Sequence, residues 1–219
     1  MRLDDILEKL ESQEQAADIT KARWYIIAAV ALTAASAGPD VTKVYKKVTR
    51  GLSLDAQKLV QRRVKEAILK TSALYDGKLP KQKAQLLWKC EKARYEKARS
   101  YFDTIWTPKV AQANREHNFK YHHPDLYYLN TQLHYEYYIS EDAILNPIET
   151  QTCNIAALIC SNCPVQVMWH TRGLMNHGGS MQEAKFAHQI GLAIAKLSDS
   201  KVGDITPVER IDFEHYTPH

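Results

Sequence analysis

Two cysteines and a histidine lie close enough along this chain to share one piece of chemistry: Cys160-Ser-Asn-Cys163-Pro164, with His170 seven residues after the second cysteine. Proline has its φ fixed for the first position of a helix, which predicts Cys163 as an N-cap residue. A thiol there sits at the positive end of the helix dipole, where the thiolate is favoured, and a low-pKa thiolate attacks peroxides and disulfides. On that helix Cys163, Gln166 and His170 recur at i, i+3 and i+7 and project from one face. Imidazole titrates near neutral pH, and one positioned acid/base group contributes about 10²–10⁴-fold to a rate. The same residues also read as packed interior, because free cysteine is among the most buried residue types and a core histidine is satisfied by a carbonyl.

A zinc site on Cys160, Cys163, His170 and His177 is not expected. His170 and His177 are two turns apart on one helix, about 10 Å, whereas tetrahedral coordination needs every ligand atom within roughly 2.0–2.3 Å of one ion. His117, His122, His123 and His134 have no regular ligand spacing. Gly178-Gly179 follows a helix and no strand, so it reads as a cap and turn rather than a phosphate loop. The expected complement is no metal and no cofactor.

The elements that must position these groups are helices. Helical periodicity covers residues 4–12, 20–37, 40–50, 54–76, 80–100, 126–139, 147–161, 164–177 and 181–198. No alternating Val/Ile/Thr-rich stretch bounded by turn residues occurs, so the predicted class is all-α. Residues 80–100 read as a charged, solvated helix, and the chain from Ser198 onward as an irregular extension. Residues 117–138 are rich in His and Tyr (Tyr127, His134, Tyr138 among them), side chains with an apolar body and a polar tip that suit a pocket wall or a subunit interface.

An internal echo is visible. Trp24–Ala37, Gly38-Pro39, Val41–Arg50, Gly51-Leu52-Ser53 and Leu54–Leu74 run in the same order as Pro147–Ser161, Cys163-Pro164, Val165–His177, Gly179-Ser180 and Met181–Leu197. The linking prolines are 125 residues apart and the linking serines 127. One such three-helix unit cannot bury its apolar face alone, whereas two can pack together. The expected organisation is a single domain over 1–219. Its first repeat covers about 20–76, linking helices cover 80–139, and its second repeat covers about 145–198.

With 219 residues the chain can bury a core without staples. A net charge of +4 is no argument for nucleic-acid binding. The apolar run Trp24–Ala37 is shorter than the roughly 20 residues of a membrane span and reads as a core helix. Asp4, Asp5 and Glu8 argue against a signal or transit peptide. Together with Cys90, Cys153, Cys160 and Cys163 this points to a reducing, cytoplasmic setting.

From Leu145 to Leu197 the chain resembles the carboxymuconolactone decarboxylase-like family, which includes alkyl hydroperoxidase D. The residues that carry the likeness are Leu145-Asn-Pro-Ile-Glu149, Cys163-Pro164, Trp169-His170-Thr-Arg-Gly173, Gly178-Gly179-Ser180 and Glu183-Ala184. The first repeat looks like a degenerate copy of the same unit, and the overall order is similar to a fungal branch of the family. The resemblance implies an all-helical alkyl hydroperoxidase D-like fold, a homo-oligomer, a small-molecule substrate and one site per chain. In peroxidatic members a glutamate, a C-x-x-C pair and a histidine form a relay. Alignment on His170 puts Cys163 at the first cysteine position and Gln166 at the second, with Cys160 one turn early. The relay glutamate falls on or near Gln151, whereas the available carboxylate is Glu149. Two residues along a helix is about 200° of rotation, so Glu149 and Gln151 cannot both face the site.

The resemblance thus implies catalytic candidates His170, Cys163, Glu149 and Cys160, with Gln166, Tyr138, His134, Trp169 and Gln151 around the substrate. The leading expectation is acid/base chemistry on His170, a decarboxylation or a lactone or keto-acid conversion (lyase). The alternatives are a thiol-dependent peroxidase or disulfide reductase (oxidoreductase) on Cys163 and Cys160, and a non-catalytic oligomeric member.

Overall fold

The computed structural model describes residues 2–72, 91–121, 123 and 127–214. The end of the helix expected over 54–76 and the start of that expected over 80–100, together with Trp88, Cys90 and His122, lie outside the described residues. Among those described, every regular element is helical and no strand occurs.

The order is α1 (Leu3–Glu14), α2 (Trp24–Ala34), a 3-10 turn (Gly38–Asp40), α3 (Val41–Thr49), α4 (Leu54–Ser72), α5 (Glu91–Trp106) and α6 (Pro108–Tyr121). A π-helix (Tyr127–Tyr138), α7 (Pro147–Cys160), α8 (Pro164–Asn176), α9 (Met181–Leu197) and a 3-10 turn (Val208–Arg210) follow.

Two helices form the centre. Every residue of α2 from Trp24 to Leu32 is buried, as is every residue of α7 from Glu149 to Cys160. A helix apolar all round belongs inside a bundle, and α2 packs on α7, α4, α9 and α3. At 11 residues it spans roughly 16 Å, about half a hydrocarbon core. No helix among the described residues is long and apolar enough to cross a membrane. The second centre, α7, packs on α9, α8, α2 and α4. α9 comes close to it because Gly191 has no side chain; a Cβ there would stand 3.1 Å from Ala156 Cα and 3.0 Å from Ile159 Cδ1.

Unlike α2, α7 carries polar residues into the interior, and buried polar groups need partners. Its Glu149 pairs with Arg63 of α4, whose Nη1 also donates to Ala22 O at 2.8 Å and to Tyr25 Oη at 2.7 Å. Pro147 starts α7 behind an Asn146–Glu149 capping box, and a Ser180–Glu183 box starts α9.

The remaining elements form a second layer. α5, α6 and the π-helix pack on one another, and α5 lies along α8. Their shared core is Tyr101, Phe102, Ile105, Trp106, Val110 and Ile139, with Tyr135 and Trp169 against it. The periodicity reading had no helix at α6, although Pro108 at N1 and the buried Val110 and Ala111 are its signals. The segment expected as an α-helix over 126–139 winds as a π-helix: Ile139 N–H donates to His134 O, five residues back, at 3.0 Å.

Candidate functional site

The Cys160-Ser-Asn-Cys163-Pro164 stretch is a helix corner. Ser161 ends α7, Asn162 adopts φ +58°, and the Cys163 N–H donates to Leu158 O at 3.0 Å, the 6→1 bond of a Schellman motif. Pro164 then opens α8 with Cys163 as its N-cap residue. The spacing of the two cysteines is therefore the length of a turn. The α2 end is built in the same way, with Ser36 at φ +60° and the Ala37 N–H on Leu32 O at 2.8 Å.

Within this corner the thiols are engaged separately. Cys160 Sγ donates to Gly191 O and Cys163 Sγ to Ser161 O, both at 3.4 Å. Cys153, Cys160 and Cys163 are all free. The thiolate expected at the cap is opposed by the surroundings. Burial pushes the Cys163 thiol above its ordinary value and Cys160 up to about 12. The cap position alone does not favour the thiolate here, because the apolar packing around Cys163 penalises its charge.

His170 sits two turns into α8 and is 2 % exposed. It faces α7, where Gln151 Oε1 lies 2.8 Å from its Nδ1. The same amide's Nε2 donates to Tyr101 Oη of α5 at 2.9 Å. An amide has one acceptor end and one donor end. With the nitrogen turned to Tyr101, the oxygen faces the imidazole, and Nδ1–H is the donor. Turned over, the amide takes the Tyr101 hydroxyl proton on its oxygen and gives its own N–H to Nδ1, so this chain of contacts serves a neutral ring with either nitrogen protonated. Asn154 Nδ2 stands 3.5 Å from the same Nδ1, at the limit of a hydrogen bond, and its buried Oδ1 has no hydrogen-bond partner among the described residues.

The ring is kept neutral. Burial, with the nearby His134 as a smaller cause, lowers His170 to about 4. Burial lowers His134 itself to about 4. Tyr135 lies nearly parallel to the His170 ring, with centroids 6.4 Å apart and planes 16° off, and burial raises its phenol to about 12. Tyr138 Oη and His134 Nε2 are buried without hydrogen-bond partners among the described residues. These three residues come from the last turns of the π-helix, whose N-terminal half is more open: Tyr128 is exposed.

The sequence candidates are thus sorted by the fold. His170 and Gln151 are in contact, with His134 beside them. Glu149 is turned to Arg63 and to the Asn146 backbone N–H, 3.0 Å from its Oε2, as the 200° rotation between 149 and 151 requires. It is not brought to His170. Trp169 packs edge-on against Trp106 and lines a cavity of about 180 Å³ with Arg172, Asn176 and Phe213. Gln166 is half-buried on α8. Of the larger hollows, one of about 470 Å³ lies along α5 and one of about 830 Å³ at the start of α9. His170 lines none of the three.

Sequence reasoning missed Tyr101 and Asn154 as members of the site. Asn154 is a polar residue in the middle of an apolar helix, a legible signal; Tyr101 lies just past the charged stretch 80–100 read as a solvated helix, on a turn that continues it to Trp106. Among the described residues no group of three or more His, Cys, Asp or Glu is arranged to hold a metal ion. Compared with family models, curated proteins and solved structures, the chain matches none.

Proposed function

We propose that this chain is a carboxymuconolactone decarboxylase-like protein that performs acid/base chemistry on a small molecule, with His170 as the proton-handling residue. The observation that carries the reading is the Tyr101–Gln151–His170 chain, which engages Nδ1 of a buried, neutral imidazole. The unprotonated nitrogen of a neutral imidazole takes a proton first and, as imidazolium, returns it. That suits proton transfer at a carbon beside a carbonyl, as in the conversion of a lactone or β-keto acid. Among the described residues no carboxylate contacts the ring, so a substrate carboxylate would bring the negative charge that raises His170 toward its working range. The thiol-dependent peroxidase reading needs a thiolate at Cys163 or Cys160, and burial works against one at either position.

The two cap-and-turn corners after α2 and α7 support an alkyl hydroperoxidase D-like internal duplication. The exposed apolar side chains Phe119, Tyr121, Tyr128 and Leu129 support a homo-oligomer. We place the protein in the cytoplasm, acting on a small-molecule substrate and without a nucleic-acid or membrane partner.

The test is CO2 release or ring opening with a panel of carboxylated lactones and β-keto acids. Turnover that disappears in His170→Ala, with the helical circular dichroism retained, supports the reading. Turnover unaffected by His170→Ala overturns it. A second reading, a non-catalytic oligomeric family member, is favoured by the 2 % exposure of His170. It predicts no turnover across the panel and an unchanged oligomer in His170→Ala by light scattering.

A further inference from the structure

His170 is 2 % exposed and lines none of the three hollows, so a small molecule reaches it only if a neighbouring element moves. Gln151 and Asn154 face it from α7, a central helix buried from Glu149 to Cys160 and packed on α9, α8, α2 and α4. His134 and Tyr135 face it from the π-helix, which belongs to the second layer and packs on α5 and α6. Between these two elements, the π-helix is the one that can give way.

The two sides of the π-helix are held differently. Toward α5 and α6 the ties are ionic or charge-assisted. Arg115 of α6 donates from Nε to Glu136 Oε1 at 2.6 Å and pairs through Nη1 with Asp103 of α5 at 2.7 Å. Arg94 of α5 donates to Tyr137 O and, at 2.7 Å, to Ser140 Oγ. Toward α8 and α4 stand His134, Tyr135 and Tyr138. Tyr135 lies over the His170 ring, and burial and the Glu66 carboxylate of α4 both raise the Tyr138 phenol. His134 Nε2 and Tyr138 Oη are buried on this side without hydrogen-bond partners among the described residues, and so is Asn154 Oδ1 across the seam. Turning the Asn154 amide over only exchanges the end that is left without one.

A buried polar group without a partner is destabilising, whereas charge-assisted bonds are the strong ones. Parting the seam hydrates three such atoms and leaves the ties to α5 and α6 intact. We propose that the π-helix Tyr127–Tyr138 is a lid over His170, which opens along its His134–Tyr138 face to admit a small molecule while Arg115 and Arg94 keep it tied to α5 and α6. Burial of the Tyr135 ring against His170 keeps the lid closed most of the time. That the opening admits a substrate rests on the acid/base reading; the opening itself does not.

The test is the initial rate at which diethyl pyrocarbonate modifies each histidine of the full chain at pH 7, read by mass spectrometry of the digest. The reagent attacks the neutral imidazole, the form in which burial holds both His170 and His188. His188 of α9, bonded to Thr171, is the reference, and it is the less enclosed of the two, 5 % exposed against 2 %. A lid makes His170 react about tenfold faster than His188 or more, because local opening takes less free energy than global unfolding. Tyr138→Phe removes a hydroxyl that lacks a partner only in the closed state, so it slows the modification of His170 by about fivefold or more. A His170 that reacts no faster than His188 overturns the proposal. So does a Tyr138→Phe chain in which His170 reacts as fast as in the wild type. Absence of turnover with lactones and keto acids removes the proposed function and leaves the modification rates standing, so the two failures are separate.

Discussion

Glu149 and Gln151 sit two positions apart on one helix and do different things. Glu149 is spent on structure: with Arg63 it forms an ion pair whose side chains are 11 % and 5 % exposed. Removing one partner of such a pair leaves a buried charge uncompensated and costs about 3–5 kcal/mol, whereas replacing both by apolar side chains is often near neutral. Arg63→Met is therefore expected to lower the thermal midpoint by roughly 6–20 °C for a chain of this size, and Arg63→Met/Glu149→Met to recover most of the loss. Scanning calorimetry checks both. A double variant as unstable as the single one would show that the other Arg63 bonds, to Ala22 O and Tyr25 Oη, carry the stability instead. Gln151 has no charge to compensate, and its two amide ends are divided between Tyr101 and His170.

Helices α7 and α9 are drawn together over Gly191, and the two energetic effects of replacing it oppose each other. Alanine in a helix interior is favoured over glycine by about 1 kcal/mol. A Cβ at 191, however, meets Ala156 Cα at 3.1 Å and Ile159 Cβ at 3.2 Å, and overpacking a tight core costs about 1–3 kcal/mol. A backbone atom cannot step aside as a flexible side chain can, so sterics win. Gly191→Ala is expected to be less stable by about 1 kcal/mol in chemical denaturation, and a more stable variant would show that the interface yields. At the start of the same helix Ser180 Oγ accepts from the Glu183 N–H at 3.2 Å while Glu183 Oε2 reaches back to the Ser180 N–H at 2.7 Å. Ser180→Ala removes one half of this box and should cost about 1 kcal/mol, a fall of roughly 2–4 °C in the thermal midpoint.

Among the described residues four histidines share one electrostatic condition. Burial lowers His134, His170, His177 and His188 each to about 4. Free histidine titrates near 6.5, so between about pH 6.5 and 4 the unfolded chain binds protons that the folded chain refuses. Stability from these groups is complete above pH 6.5 and is lost as pH falls toward 4. His170, fully enclosed, contributes about 3 kcal/mol of that loss by pH 4. Thermal midpoints measured from pH 7 to pH 4 should fall steadily. His188→Gln should flatten the slope, because His188 Nε2 donates to Thr171 Oγ1 at 2.9 Å and a glutamine amide can donate there without titrating. A flat midpoint over this range in the wild-type protein would contradict the neutral, buried state of these rings.

What the sequence determined by itself is the all-helical class, most of the helices and several of their starts. Trp24–Leu32 is apolar at nearly every position, so it had to lie inside. Pro147, Pro164 and the Ser180–Glu183 box mark starts that depend on neighbours a few residues away, and local signals of this kind survive without tertiary context. The rotation between 149 and 151 was also legible, since helix geometry forbids both from facing one target. Tertiary structure decided the rest. Whether the Cys163 cap favours a thiolate depends on the apolar cluster it packs against, which includes residues as distant as Ala187 and Val208. Tyr101 meets Gln151 across 50 positions of sequence, and no spacing rule connects them. The thiols were prominent because they are close in the chain, a closeness the turn at Ser161-Asn162 produces. The site at His170 is assembled from α5, the π-helix, α7 and α8, and only folding brings those four together.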